Sequence, residues 1–139
     1  MGKWNHFKTM GTRRSEHQSI IKGDQMYLIG GYNGLDYVDS AQNEIVSLSE
    51  ELATKTFPFM HHKRLSFGMC SLAECVFVGG GFKSSSEDID KCEVYSFETC
   101  EWTEVFSMNT KRSEFTLTYF QGKIWAIGGI KDSNDWTDT

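Results

Sequence analysis

The feature that most constrains this chain is a set of landmarks that returns about every fifty residues. Arg14, Arg64 and Arg112 are separated by 50 and 48 residues, and Gly31, Gly80 and Gly129 by 49 each time. A third landmark keeps the same register, a Trp six residues before a Met, at Trp4 and Met10 and again at Trp102 and Met108. Self-similarity at such a period implies repeated supersecondary units. Each is too small to bury its own apolar faces and must stack on its neighbours.

Inside each unit the strongest strand leads into glycines. Tyr27-Leu28-Ile29, Val76-Phe77-Val78 and Trp125-Ala126-Ile127 run into Gly30-Gly31, Gly79-Gly80 and Gly128-Gly129. Unbroken apolar character predicts strands buried on both faces. Paired glycines predict close backbone approach or positive φ. A hairpin partner precedes each run, turned at Lys22-Gly23-Asp24 in the first unit and Gly122-Lys123 in the third. Ala73-Glu74 stands there in the second, which requires another turn geometry or local strain.

Polar loops follow over 32–43, 81–91 and from 130 onward, carrying Asp36, Asp39, Glu87, Asp88, Asp90, Asp132, Asp135 and Asp138. Third strands are predicted at 44–48 and 92–97, and fourth strands at 54–57 and 101–106. Pro58 ends the earlier fourth strand because it has no N–H for a ladder. Residues 2–7, around Trp4, read as the last strand of a preceding unit. Four antiparallel strands with two apolar faces stack radially as a β-propeller, whereas a parallel β-helix has shorter coils without this rhythm.

Composition agrees with a soluble all-β domain. The 139 residues are 39% hydrophobic and 24% charged, with a net charge of -5. That charge offers no basic excess to face phosphate, so neither nucleic acid nor membrane is expected as a partner. No apolar run approaches the eighteen or so residues of a span, and the N-terminal residues lack the apolar stretch of a signal peptide. Cytoplasmic placement is therefore expected, with Cys70, Cys75, Cys92 and Cys100 as free thiols.

Evidence for chemistry is thin. Gly30-Gly31-Tyr32-Asn33-Gly34 lacks the spacing and following helix of a phosphate cradle. His61 and His62 are adjacent, so on an extended chain they point apart, and the Cys70/Cys75 and Cys92/Cys100 gaps do not suit a zinc knuckle. No nucleophile elbow or paired carboxylates stand out. No cofactor, metal or catalytic residue is expected. Trp4, Trp102, Phe106 and Trp125 are expected to be core between units, and Arg14, Arg64 and Arg112 to bond loop carbonyls beside the next unit.

The combination of an Arg near the first strand, a double glycine ending the second, a Tyr and then a Trp resembles the kelch repeat. Gly79-Gly80, Tyr95 and Trp102 carry it in the second unit. In the first, Val46 holds the Tyr position and Ala53 or Thr54 that of Trp. The resemblance implies a partial kelch-type β-propeller of four-stranded antiparallel blades. Residues 1–10 give the last strand of a preceding blade, 11–60 and 61–109 two blades, and 110–139 an incomplete one. It also implies a non-catalytic protein-interaction module, resembling the substrate-recognition part of cullin-3 ubiquitin ligase adaptors that reach cullin-3 through a BTB domain. Other kelch proteins bind actin at the cytoskeleton, and some are enzymes.

In the family the partner surface is built from the loops joining strands two and three and those joining strand four to the next blade. Carried over, this points to Tyr32, Asn33, Phe82, Lys83, Ile130 and Lys131, and to Glu16, Ser66 and Glu114, two places after each repeated arginine. Family members that grip acidic peptides often carry Arg or Ser at the latter positions. Two glutamates here favour a protein or peptide ligand of basic or mixed charge.

Overall fold

The computed structural model describes residues 2–34, 43–49, 54–84, 87–131 and 135–136. In the first unit β1 (Gln18–Lys22), β2 (Gln25–Ile29), β3 (Glu44–Ser47) and β4 (Thr54–Thr56) form one antiparallel sheet in sequential order. The second unit contains β5 (Gly68–Leu72) and β6 (Cys75–Gly79), a small ribbon of β7 (Phe82–Ser84) and β8 (Glu87–Asp88), then β9 (Cys92–Ser96) and β10 (Glu101–Glu104). Its sheet runs β5-β6-β9-β10, with the ribbon outside it. In the third, β11 (Thr116–Phe120) pairs with β12 (Lys123–Ile127), and a ribbon of β13 (Ile130–Lys131) and β14 (Asp135–Trp136) follows. The expected polar loops at 81–91 and after 130 thus contain paired backbone. Asp36, Asp39, Ala53, Asp132 and Asp138 lie outside the described residues.

Strand register makes the units superimposable residue by residue. Val46 pairs with Met26 and Thr54, as Tyr95 pairs with Val76 and Trp102, so Thr54 holds the tryptophan position. Hairpin turns differ as their residues require. Gln121 and Gly122 both have positive φ, at 50° and 76°, whereas neither Ala73 nor Glu74 does. The second hairpin therefore uses another turn geometry, without left-handed strain.

The glycine register differs from the expected one. Gly30 and Gly31 have φ of 61° and 95°, and their counterparts are Gly80 and Gly81, with the same two values, not Gly79 and Gly80. Gly79 belongs to β6, opposite Gly68 and Cys92. The spacing of Gly30, Gly80 and Gly128 is then 50 and 48 residues, the same as that of the arginines. A Cβ on Gly80 would sit 2.4 Å from the Arg112 carbonyl oxygen, whereas one on Gly79 would meet Cys92 Sγ at 3.0 Å and nothing closer. Gly80→Ala is expected to cost about 2–3 kcal/mol, combining a left-handed Cβ with a backbone clash. Gly79→Ala should cost about 1 kcal/mol or less. Urea unfolding of the two variants checks this, and equal losses would restore the earlier register.

The core lies between sheets. Ile29 and Phe57 of the first unit meet Phe67, Val76, Val78, Tyr95 and Trp102 of the second. Phe77, Cys70 and Cys92 of the second meet Phe115 and Leu117 of the third. Trp102 is buried as expected, at 6% exposure, but Trp4 at 103%, Phe106 at 75% and Trp125 at 48% are not. An aromatic ring is buried only where a neighbouring sheet covers it. On β12, Ile124 and Ala126 pack against the second unit while Trp125 and Ile127 lie exposed, so that strand is not buried on both faces. Residues 2–10 form no strand, contrary to the sequence pattern, because no described strand pairs with them. Unpaired extended backbone leaves its polar groups to water.

All four cysteines are free thiols. Burial pushes the Cys70 thiol up to about 11 and raises that of Cys92 as well. Cys100 is exposed. A thiol reagent at neutral pH is expected to modify Cys100 first and to reach Cys70 and Cys92 only after denaturation. Native-state labelling of Cys92 as fast as Cys100 would contradict the packing of the second and third units.

Candidate functional site

Each repeated arginine anchors one end of its own unit. Arg14 Nη1 donates to the Gly30 carbonyl at 3.0 Å, Arg64 Nη1 to Gly80 at 2.9 Å, and Arg112 Nη1 to Gly128 at 3.0 Å. The expected contact with the next unit is made by the main chain instead. Gly31 N donates to the Arg64 carbonyl at 3.2 Å, and Gly81 N to that of Arg112 at 2.8 Å. Arg64 is 1% exposed and also donates to the Lys91 carbonyl at 2.8 Å and Glu93 Oε1 at 2.7 Å. Burial draws its guanidinium below its ordinary value, and Glu93 opposes that shift.

Glu93 in turn accepts the backbone N–H groups of His61 and His62 at 2.7 and 3.0 Å. Glu44 repeats this with Arg14 and with the N–H groups of Gly11 and Thr12. A buried Arg–Glu pair therefore fixes the segment that enters each of these units. Composition gives no sign of it, but a Glu at the start of each third strand, Glu44 opposite Leu28 and Glu93 opposite Val78, is a signal available in the sequence.

This anchoring holds the predicted binding residues along one edge. The residue after each arginine forms a two-bond bridge to the residue after each glycine pair. Ser15 bridges to Tyr32, Leu65 to Phe82 and Ser113 to Ile130, with N···O distances of 2.9 to 3.1 Å. The next residues, Glu16, Ser66 and Glu114, all have left-handed backbone, with φ of 55°, 50° and 53°. They link the units in a chain: Ser66 N donates to the Glu16 carbonyl at 3.1 Å, and Glu114 N to that of Ser66 at 2.8 Å. Ser66 Oγ also donates to the Glu16 carboxylate.

Glu16, Glu114, Lys83 and Lys131 are exposed there, while Tyr32, Asn33 and Phe82 are half-buried. Lys83 Nζ lies 3.9 Å from Glu87 across its ribbon. A recess of about 440 Å³ is lined by Arg13, Arg14, Ser15, Tyr32, Asn33 and Gly34. Arg13 was not singled out from the sequence, although a basic residue precedes every repeated arginine: Arg13, Lys63 and Lys111. All three are exposed, so the edge carries cations beside its two glutamates.

His17 occupies the position of Phe67 and Phe115. Its Cβ lies 2.7 Å from where a Cβ on Gly31 would be, as that of Phe67 does at Gly81. Its Nδ1 is buried with no hydrogen-bond partner among the described residues. Burial, followed by the charge of Arg14, holds the imidazole below its ordinary value of 6.5. Below that value the unfolded chain takes up the proton before the folded one, so stability contributed by neutral His17 falls as pH drops through the lowered value. His17→Phe is expected to raise the unfolding midpoint and flatten its dependence on pH below 6.5. An unchanged acid slope in that variant would contradict the placement.

Among the described residues no group of three His, Cys, Asp or Glu side chains fits a metal ion, and no helix is long and apolar enough to cross a membrane. Residues 63–109 match the Kelch motif. Human Kelch-like protein 42 is 34% identical over 85 residues, covering 57% of this chain and 17% of that protein. Beta-scruin of Limulus polyphemus is 27% identical over 132 residues, covering 91% of this chain and 14% of its own length. The chain thus spans less than a fifth of the length of these relatives. The solved structure of YjhT superimposes with a TM-score of 0.74 at 14% identity, over 91% of this chain and 37% of that one, a likeness of fold. The Kelch motif, the similar relatives and the stacked four-stranded sheets agree on the fold of a kelch-type β-propeller.

Proposed function

We propose that the chain is a non-catalytic protein-interaction module whose ligand lies across the edge formed by Glu16, Tyr32, Asn33, Ser66, Phe82, Lys83, Glu114 and Lys131. The observation that carries this reading is the backbone chain from Glu16 through Ser66 to Glu114, which aligns equivalent side chains from three units on one rigid line. Glu16 and Glu114 beside Arg13 and the edge lysines suit a partner of basic or mixed charge. Tyr32 and Phe82 supply the aromatic anchors. On the likeness to Kelch-like protein 42, the finer reading is substrate recognition within a cullin-3 ubiquitin ligase adaptor, with cullin-3 bound through a BTB domain.

Selection of peptides on the immobilised chain tests the surface. Sequences rich in Lys or Arg are expected. Glu16→Lys with Glu114→Lys should abolish their capture, and Tyr32→Ala or Phe82→Ala should each weaken it by about 2 kcal/mol, roughly thirtyfold. Enrichment of acidic peptides, or full binding by both alanine variants, would overturn the reading. Co-sedimentation with F-actin distinguishes the actin-binding alternative.

A further inference from the structure

The row of Glu16, Ser66 and Glu114 lies on the side of the stack where the units come closest. Each of the three stands two residues before its unit's first strand, and the first strands face one another across units, β1 with β5 and β5 with β11. Gln18 Nε2 adds a bond of 3.0 Å to the Phe67 carbonyl between them. In a radial stack that side is the one nearest the axis. Main-chain bonds of 3.1 and 2.8 Å join the row. Hydrogen-bonded backbones stand about 4.8 Å apart, so two such steps put Glu16 and Glu114 about 9–10 Å from one another.

Charge along the row is uneven. Ser66 in the middle is neutral, and its Oγ donates to the Glu16 carboxylate, which holds that anion in place. Glu114 is the anion at the other end. The neighbouring row differs again: Ser15 and Leu65 bridge to Tyr32 and Phe82, two half-buried rings, and Lys83 and Lys131 are exposed beside them. A segment with a cation at every position would meet those lysines. Two cations separated by uncharged residues match both rows.

The span selects a backbone. Same-face residues of an extended strand recur at about 6.7 and 13 Å, which fall on either side of it. An α-helix comes near it only between residues seven apart, at about 10.5 Å. A polyproline-II helix has three residues per turn and a rise of about 3.1 Å, so residues i and i+3 share one face about 9.3 Å apart. Exposed faces of aromatic rings are also the usual seat of that helix. We propose that the ligand of this edge is a polyproline-II segment with Lys or Arg at i and i+3, one cation on Glu16 and the other on Glu114, and with the intervening prolines turned to Tyr32 and Phe82. This rests on the edge reading above and adds the conformation and charge spacing of the ligand.

Oligoproline peptides carrying two lysines serve as rulers, because their backbone is already polyproline II. In fluorescence anisotropy with the full chain at about 0.1 M salt, lysines three residues apart are expected to bind about fivefold tighter than lysines two or four apart, the gain from one further exposed ion pair. Glu16→Gln or Glu114→Gln should each reduce that peptide to the affinity of its single-lysine form, and about 1 M salt should erase the preference. A helical peptide with lysines seven apart should bind no better than its own single-lysine form. Equal binding at every spacing, a preference that survives both Gln variants, or tighter binding of the helical ruler would overturn the ligand geometry while leaving the edge as the site of basic peptides. Failure of every lysine-bearing peptide to bind would remove both.

Discussion

Replacing Arg64 with alanine is expected to lower stability by about 3–5 kcal/mol, the typical cost of removing one partner from a buried ion pair. Both side chains of the Arg64–Glu93 pair are fully buried, and the guanidinium also donates to three backbone carbonyls, those of His62, Gly80 and Lys91. Its loss strands the Gly80 carbonyl together with a desolvated carboxylate, while the Lys91 carbonyl keeps the Gly80 N–H at 3.1 Å. The backbone N–H groups of His61 and His62 remain on Glu93, which limits the penalty. Arg64→Met combined with Glu93→Gln is expected to cost less than the sum of the two single changes, because neither charge is left alone. Urea midpoints of the four proteins check the cycle. A loss under about 1 kcal/mol for Arg64→Ala would mean that water reaches the pair.

Trp102→Ala should cost a similar amount, about 3–5 kcal/mol, as a large ring removed from a packed interior. The indole packs against the Tyr95 ring, with centroids 5.2 Å apart and planes tilted by 48°, and donates across the unit boundary to the Pro58 carbonyl of the first unit. Its removal empties the seam between the first two sheets and orphans part of the hydrogen bonding at Pro58, although Asn43 Nδ2 continues to donate there at 2.7 Å. Near-ultraviolet circular dichroism and thermal unfolding together read both effects. A variant that melts within a few degrees of the parent would contradict the seam's role.

The fold was legible because its strongest signals are local. The apolar runs before the glycines, the third strands at 44–48 and 92–97 and the proline stop at Pro58 follow from residue type alone, and the strands lie within a residue or two of those positions. The glycine register was misread at Gly79 because three consecutive glycines offer two equivalent pairs. Only φ, set by approach to the Arg112 carbonyl, selects Gly80 and Gly81.

Burial was less legible than strand position. Trp4, Phe106 and Trp125 match core residues in type, but their exposure depends on which sheet stands next to them, a property of the stack that no unit encodes alone. The candidate edge was half legible. Repeat position placed Tyr32, Phe82, Glu16, Ser66 and Glu114 at one end, whereas the bridges that bring them side by side, and Arg13 in the recess, emerged from the backbone path.

The central claim is that successive units stack in one register, held together at the edge by main-chain bonds between units. Through-hydrogen-bond scalar coupling in a labelled sample measures those bonds directly. Cross-peaks are expected from the Ser66 amide nitrogen to the Glu16 carbonyl carbon and from the Glu114 amide nitrogen to the Ser66 carbonyl carbon, with both amides protected from exchange. Fast exchange of both amides, or coupling to carbonyls within their own units, would contradict the account.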